Sequence, residues 1–88
     1  MTHLDEQAPL YRIGAVSRST GVPVSTLRVW EARHQAFSPI KTDGQQRLFR
    51  EQDVSKARVL KQLTQQGHSI GAMAALDLVH LRRLCQGN

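Results

Sequence analysis

Apolar positions recur at helical spacing in several short blocks of this chain, and glycine, proline and small polar residues separate the blocks. Ile13 and Val16, with Ala15 beside them, give one apolar side to a helix from Ile13 to about Ser19. Thr20-Gly21 ends it, since glycine takes the left-handed position past a helix C-terminus without a Cβ clash. Val22-Pro23 reverses the chain, and Pro23 suits a helix start, where a fixed φ and a missing N–H do no harm. A second helix is expected from about Val24 to His34, with Leu27 as its clearest buried residue. The periodicity then breaks. Residues 38–41 and 46–49 read as two short strands around Thr42-Asp43-Gly44-Gln45, because Asp-Gly favours a tight turn and Pro39 confines its strand to an edge. Helical spacing returns over Glu51 to Gln66, where Val54, Ala57, Val59, Leu60 and Leu63 form a broad apolar side. Gly67 stops that helix. Ser69 is the expected cap of a fourth, Ile70 to about Leu76, and Asp77 of a last one, Leu78 to Leu84. The pattern predicts a mainly α fold with a small two-stranded wing. Residues 1–10, polar and without periodicity, are expected to form a flexible arm, and residues 11–86 one domain.

Composition narrows the function classes. The 88 residues carry a formal charge of +5, and the positive charge is concentrated in the middle of the chain. Residues 10–65 hold ten Lys or Arg against Glu31, Asp43, Glu51 and Asp53, whereas residues 1–9 are net acidic. A basic folded domain points to a polyanion, most often nucleic acid. A single cysteine, Cys85, excludes a disulfide framework and fits a reducing compartment. No apolar run approaches the ~20 residues of a membrane span, so a cytoplasmic protein is expected. Catalytic or metal chemistry finds no support. Cys85 and His80 are five apart, which does not bring them together on one helix face. His3, His34 and His68 are scattered, no Cys/His spacing resembles a zinc site, and no phosphate-cradling glycine loop is present. Neither catalytic nor metal-ligating residues are assigned, and no cofactor is expected in this chain.

Six segments, in order and in register, carry a family resemblance: Tyr11-Arg12-Ile13-Gly14, Thr20-Gly21-Val22, Thr26-Leu27-Arg28-Val29-Trp30-Glu31, Thr42-Asp43-Gly44 with Arg47-Leu48-Phe49, Gln52-Asp53-Val54, and Gln66-Gly67-His68-Ser69-Ile70. Over about residues 11 to 76 the chain resembles the DNA-binding domain of the MerR family of transcription regulators. The wording around Trp30-Glu31 looks most like a branch of repressors that join this domain to a C-terminal cobalamin-binding region. The resemblance implies a winged helix-turn-helix and an N-terminal domain excised from a longer, oligomeric regulator whose further domain takes the cobalamin. The chain departs from that branch at Ala32 and His34, which stand where arginine and tyrosine are typical. Gln45-Gln46 replaces a usual Gly-His or Gly-Tyr, and Arg50 stands where a Ser or Asp cap is usual.

A helix fits the major groove, its N-terminal residues facing base edges while neighbouring basic groups hold phosphates. On the second helix Ser25 and Thr26 lie at that end; the Thr26 hydroxyl suits phosphate or base, and Arg28 suits a bidentate contact to phosphate or guanine. Arg33, near the helix end, is expected on backbone phosphate, and Arg47, on the wing, on a flanking phosphate or the minor groove. The resemblance adds Val29 and Trp30 as DNA-facing, and Arg18 on the first helix is counted with them. Competing readings stand beside these. A lone Trp in a small domain is as readily core as contact. Lys56, Arg58 and Lys61 read as a solvated helix face. The expected partner is double-stranded operator DNA. The alternative is a protein-interaction module that uses the Ile70–Leu84 segment with Leu76, Val79, Leu81 and Leu84, or a DNA face that also holds a small antirepressor protein. With no sustained heptad seam, the isolated domain is expected to be a monomer.

Overall fold

The computed structural model describes residues 9–44 and 46–86. The expected arm therefore lies outside the described residues as far as residue 8, as does Gln45 at the wing tip. Eight elements follow in order: β1 (Leu10–Arg12), α1 (Ile13–Thr20), α2 (Val24–His34), β2 (Ile40–Lys41), β3 (Arg47–Arg50), α3 (Glu51–Gln65), α4 (Ile70–Met73) and α5 (Leu78–Gln86).

The wing has three strands rather than two. β3 lies in the middle, flanked by β1 and β2, both antiparallel to it. Leu10, expected in the arm, pairs with Arg50, Tyr11 with Phe49 and Arg12 with Leu48; Ile40 pairs with Leu48 and Lys41 with Arg47. The extra strand gives β3 a partner on both edges and ties the wing directly to α1, which begins at the next residue. The Thr42 N–H donates to the Gln46 carbonyl (2.9 Å) and the Gln46 N–H to the Thr42 hydroxyl (3.2 Å), closing the wing loop.

Helix ends follow local chemistry. At Gly21 φ is 79° and its N–H donates to the Ser17 carbonyl (2.8 Å), so α1 stops where a left-handed residue is required. The buried Thr20 hydroxyl donates to the Val16 carbonyl (2.8 Å) and accepts the Val22 N–H (3.2 Å), which fixes the turn into α2. The weak cap expected at Arg50 is made good three residues later. One carboxylate oxygen of buried Asp53 accepts the Arg50 N–H and the other the Ser38 N–H, both at 3.2 Å. A single side chain thus satisfies the start of α3 and anchors the chain entering β2. α4 is only one turn long, shorter than the spacing predicts, and the Ser69 side chain makes no capping bond. Asp77 does cap α5, accepting the His80 N–H at 3.0 Å.

The core lies between α3 and the elements that surround it. Val16, Leu27, Phe49, Leu60, Leu63 and Leu81 are its most enclosed large side chains, and Phe37 meets Phe49 edge to face with ring centroids 5.9 Å apart. The expected solvated face of α3 is instead an anchoring face. Arg58 donates to the Ser19 hydroxyl (2.9 Å) and Lys61 to the Thr20 carbonyl (3.4 Å), placing two cations at the C-terminus of α1. Lys56 donates to the Ala74 carbonyl (2.9 Å), and its burial lowers the ammonium pKa against the pull of Asp53 and Asp77.

Candidate nucleic-acid interface

α2 carries two opposite faces. Leu27 and Trp30 are buried, whereas Ser25, Arg28, Val29, Ala32 and Arg33 are all exposed. The exposed positions follow the i, i+3, i+4, i+7, i+8 spacing of a single helical stripe. Four of the residues expected at a DNA surface, Ser25, Arg28, Val29 and Arg33, thus lie together on it. Thr26 is half-buried at the margin of the stripe. Trp30 is not on it: only 7% exposed, it packs with the core. Its expected contact role is corrected to a core role, since a ring that anchors α2 to the domain has no face left to offer. His34 is also half-buried and lies off the stripe.

A groove of about 460 Å³ runs between α2 and the wing. Arg28 and Ala32 line it from α2, Arg47 from β3, and Arg12 from the junction of β1 and α1, with Phe49 among the lining residues. Glu31 also lines it and forms an ion pair with Arg47, its side chain 15% exposed against 49% for the arginine. The pairing crosses from recognition-type helix to wing and orients the Arg47 guanidinium, while Arg12 and Arg28 leave the groove net positive. Arg18 is exposed on the last turn of α1 but does not line this groove.

Two contributors went unassigned in the sequence. Arg12 is the residue immediately before α1, and only the third strand brings it opposite Leu48 and beside the groove. A basic residue directly before a predicted helix was the available signal. Ala32, noted only as a departure, sits in the middle of the exposed stripe, and the helical period alone places it there. The alternative partner surface has less to offer. Leu81 is fully buried, and Leu76 and Leu84 pack against the core, so of its apolar residues only Val79, at 61%, is well exposed. Among the described residues no three His, Cys, Asp or Glu side chains lie close enough together to hold a metal, and no helix is long and apolar enough to cross a membrane.

Residues 11–77 match the MerR HTH family regulatory protein model. The chain is 35% identical over 66 residues to the HTH-type transcriptional repressor CarH of Myxococcus xanthus, covering 75% of this chain and 22% of that protein. It is 33% identical over 67 residues to the HTH-type transcriptional regulator MlrA of Escherichia coli, covering 76% and 28%. With the HTH-type transcriptional regulator GlnR of Bacillus cereus the identity is 40% over 72 residues, covering 82% and 55%. The chain thus spans from under a quarter to just over half the length of these relatives. The helix-turn-helix of α1 and α2, the wing beside it and a family match over most of the chain agree: the chain belongs to the MerR family of helix-turn-helix transcription regulators.

Proposed function

We propose that this domain binds double-stranded operator DNA with α2 in the major groove and the wing against the adjoining backbone. The observation that carries this reading is the exposed stripe of α2, basic at Arg28 and Arg33, beside a groove lined by Arg12 and Arg47. Ser25, at the helix start, faces base edges or the nearest phosphate, and Thr26 supports the same end from the margin of the stripe. Arg28 reads guanine or clamps phosphate bidentately. Arg33 takes backbone phosphate, and Arg18 a more distant one. The groove between helix and wing admits the sugar-phosphate backbone, where Arg12 and Arg47 neutralise it. In this reading residues 11–86 supply DNA binding alone. Oligomerisation and effector sensing, including the cobalamin binding implied by the resemblance, belong to a region C-terminal to it.

Fluorescence anisotropy with promoter duplexes at several salt concentrations tests this. Affinity should fall steeply as salt rises, by a log–log slope of about 0.9 per phosphate neutralised. Arg47→Ala should weaken binding to all duplexes alike and reduce the slope by about one, whereas Arg28→Ala should also narrow the preference among sequences. Equal, weak binding of the unaltered domain to every duplex rejects the proposal.

A further inference from the structure

Among the described residues three large apolar side chains are well exposed: Leu10 at 43%, Val29 at 45% and Val79 at 61%. Leu10 lies at the start of β1 and Val79 on α5, away from the stripe. Leu10 pairs with Arg50, and Val79 has Arg82 and Arg83 one turn further along α5, so neighbouring cations are common to all three. Val29 alone lies on the exposed stripe of α2, with Arg28 beside it in sequence and Arg33 one turn further along. Ala32, three residues on, adjoins Val29 on the helix surface, so the two form an apolar patch in the middle of an otherwise polar and basic face.

Such a patch has no use against phosphate, which demands charge or hydrogen-bond donors. It also gains nothing from the polar edges of guanine or cytosine. One group in the major groove is apolar, the 5-methyl of thymine, and small aliphatic side chains are its natural contacts. The smallness of Ala32 bears on the same point. An alanine at the centre of the stripe lets the helix backbone approach the base edges closely enough for a short side chain such as Val29 to touch a methyl group. Where the resembling branch typically carries an arginine, this chain presents only a methyl group next to Val29.

We infer that the Val29–Ala32 patch is a specificity-determining subsite that reads the 5-methyl group of one thymine in the operator. The inference rests on the major-groove placement of α2 proposed above. Removing one buried methyl from the interface should cost about fourfold in affinity, the equivalent of about 0.8 kcal/mol.

The test begins by selecting bound duplexes from a random pool with the domain and then replacing each thymine of the preferred duplex, one at a time, by deoxyuridine. That exchange removes the methyl and leaves every hydrogen-bonding group in place. One replacement should weaken binding about fourfold and the others by less than about twofold. With Val29→Ala that same thymine and its uridine counterpart should bind within about 1.5-fold of each other, and Val29→Ile should restore the difference. A preferred duplex indifferent to every uridine replacement overturns the inference while leaving the DNA-binding reading intact. A uridine effect that survives Val29→Ala assigns the methyl contact elsewhere and overturns it too. A pool that yields no preferred duplex overturns both.

Discussion

Gly21 is fixed by two independent requirements. Its φ of 79° is the left-handed region, and a Cβ added there would lie 2.5 Å from the Lys61 Nζ. The first requirement costs an L-residue roughly 1–2 kcal/mol. The second is relieved only if Lys61 swings away from the Thr20 carbonyl that it helps to satisfy. Gly21→Ala should therefore lower the unfolding free energy by about 1–2 kcal/mol in urea titrations with an unchanged slope, and combining it with Lys61→Ala should be less than additive. Trp30 and Val29 offer a sharper contrast, since they are adjacent in one helix. Truncation of a buried tryptophan costs about 3–5 kcal/mol, and an exposed valine well under 1 kcal/mol. Trp30→Ala should shift the urea midpoint far more than Val29→Ala, and a Trp30 variant as stable as the parent would remove the ring from the core. Their assignment was only partly legible in the sequence. The helical period did favour Trp30, which lies three residues from Leu27 on the same face, whereas Val29 lies only two away; the family resemblance, which implies that both face DNA, pointed the other way for Trp30.

At the scale of elements, the ends of α1, α2 and α3 were legible because Gly21, Pro23 and Gly67 act within a few residues of where they stand. Gly67, for instance, sits at φ 102° just past α3. β1 was not, because a three-residue strand with two of its side chains exposed shows no alternation until β3 is placed beside it. The same holds for the groove: Arg47 and Glu31 are 16 residues apart, and only the folded wing brings them into an ion pair. Nor does the sequence say that Arg58 and Lys61 serve the end of another helix 39 and 41 residues away. Short-range capping was readable at Asp77 and carries a prediction. The backbone N–H and side chain of His80 hold its carboxyl below the ordinary carboxylate pKa, against a smaller opposing effect of desolvation. A depressed folded pKa stabilises above the unfolded value of about 3.9, and that contribution disappears as pH falls through the lower folded value. Thermal melts should show Asp77→Ala less stable than the parent near neutral pH, with the gap closing on acidification below about pH 4. A gap that stays constant into acid would mean that the charge on Asp77 plays no part in capping α5.

For the molecule as a whole, the proposed contact surface is small. One helix stripe, one groove and a short wing can engage a single half-site, which calls for a second copy if the complex is to be tight. Within the described residues α5 gives no sign of a dimer seam. Its apolar side is turned onto α3, with Leu81 fully buried and Leu84 and Cys85 packed against the core. The domain by itself is accordingly proposed to be a monomer with weak DNA binding, and sedimentation should show one species over a wide concentration range. Linking two copies through a flexible tether supplies what the longer regulator is proposed to supply. On a duplex with two correctly spaced half-sites, the linked pair should bind about 10²–10⁴-fold more tightly than the single domain, because the second contact becomes intramolecular. On a duplex with one half-site it should gain almost nothing. The salt dependence gives a second, independent reading of the same experiment. Twice as many phosphates neutralised should double the log–log slope on the two-site duplex and leave it unchanged on the one-site duplex. Equal gains on both duplexes would mean that the tether acts through non-specific charge, and a tight dimer of the single domain in sedimentation would place the oligomer contact within these residues.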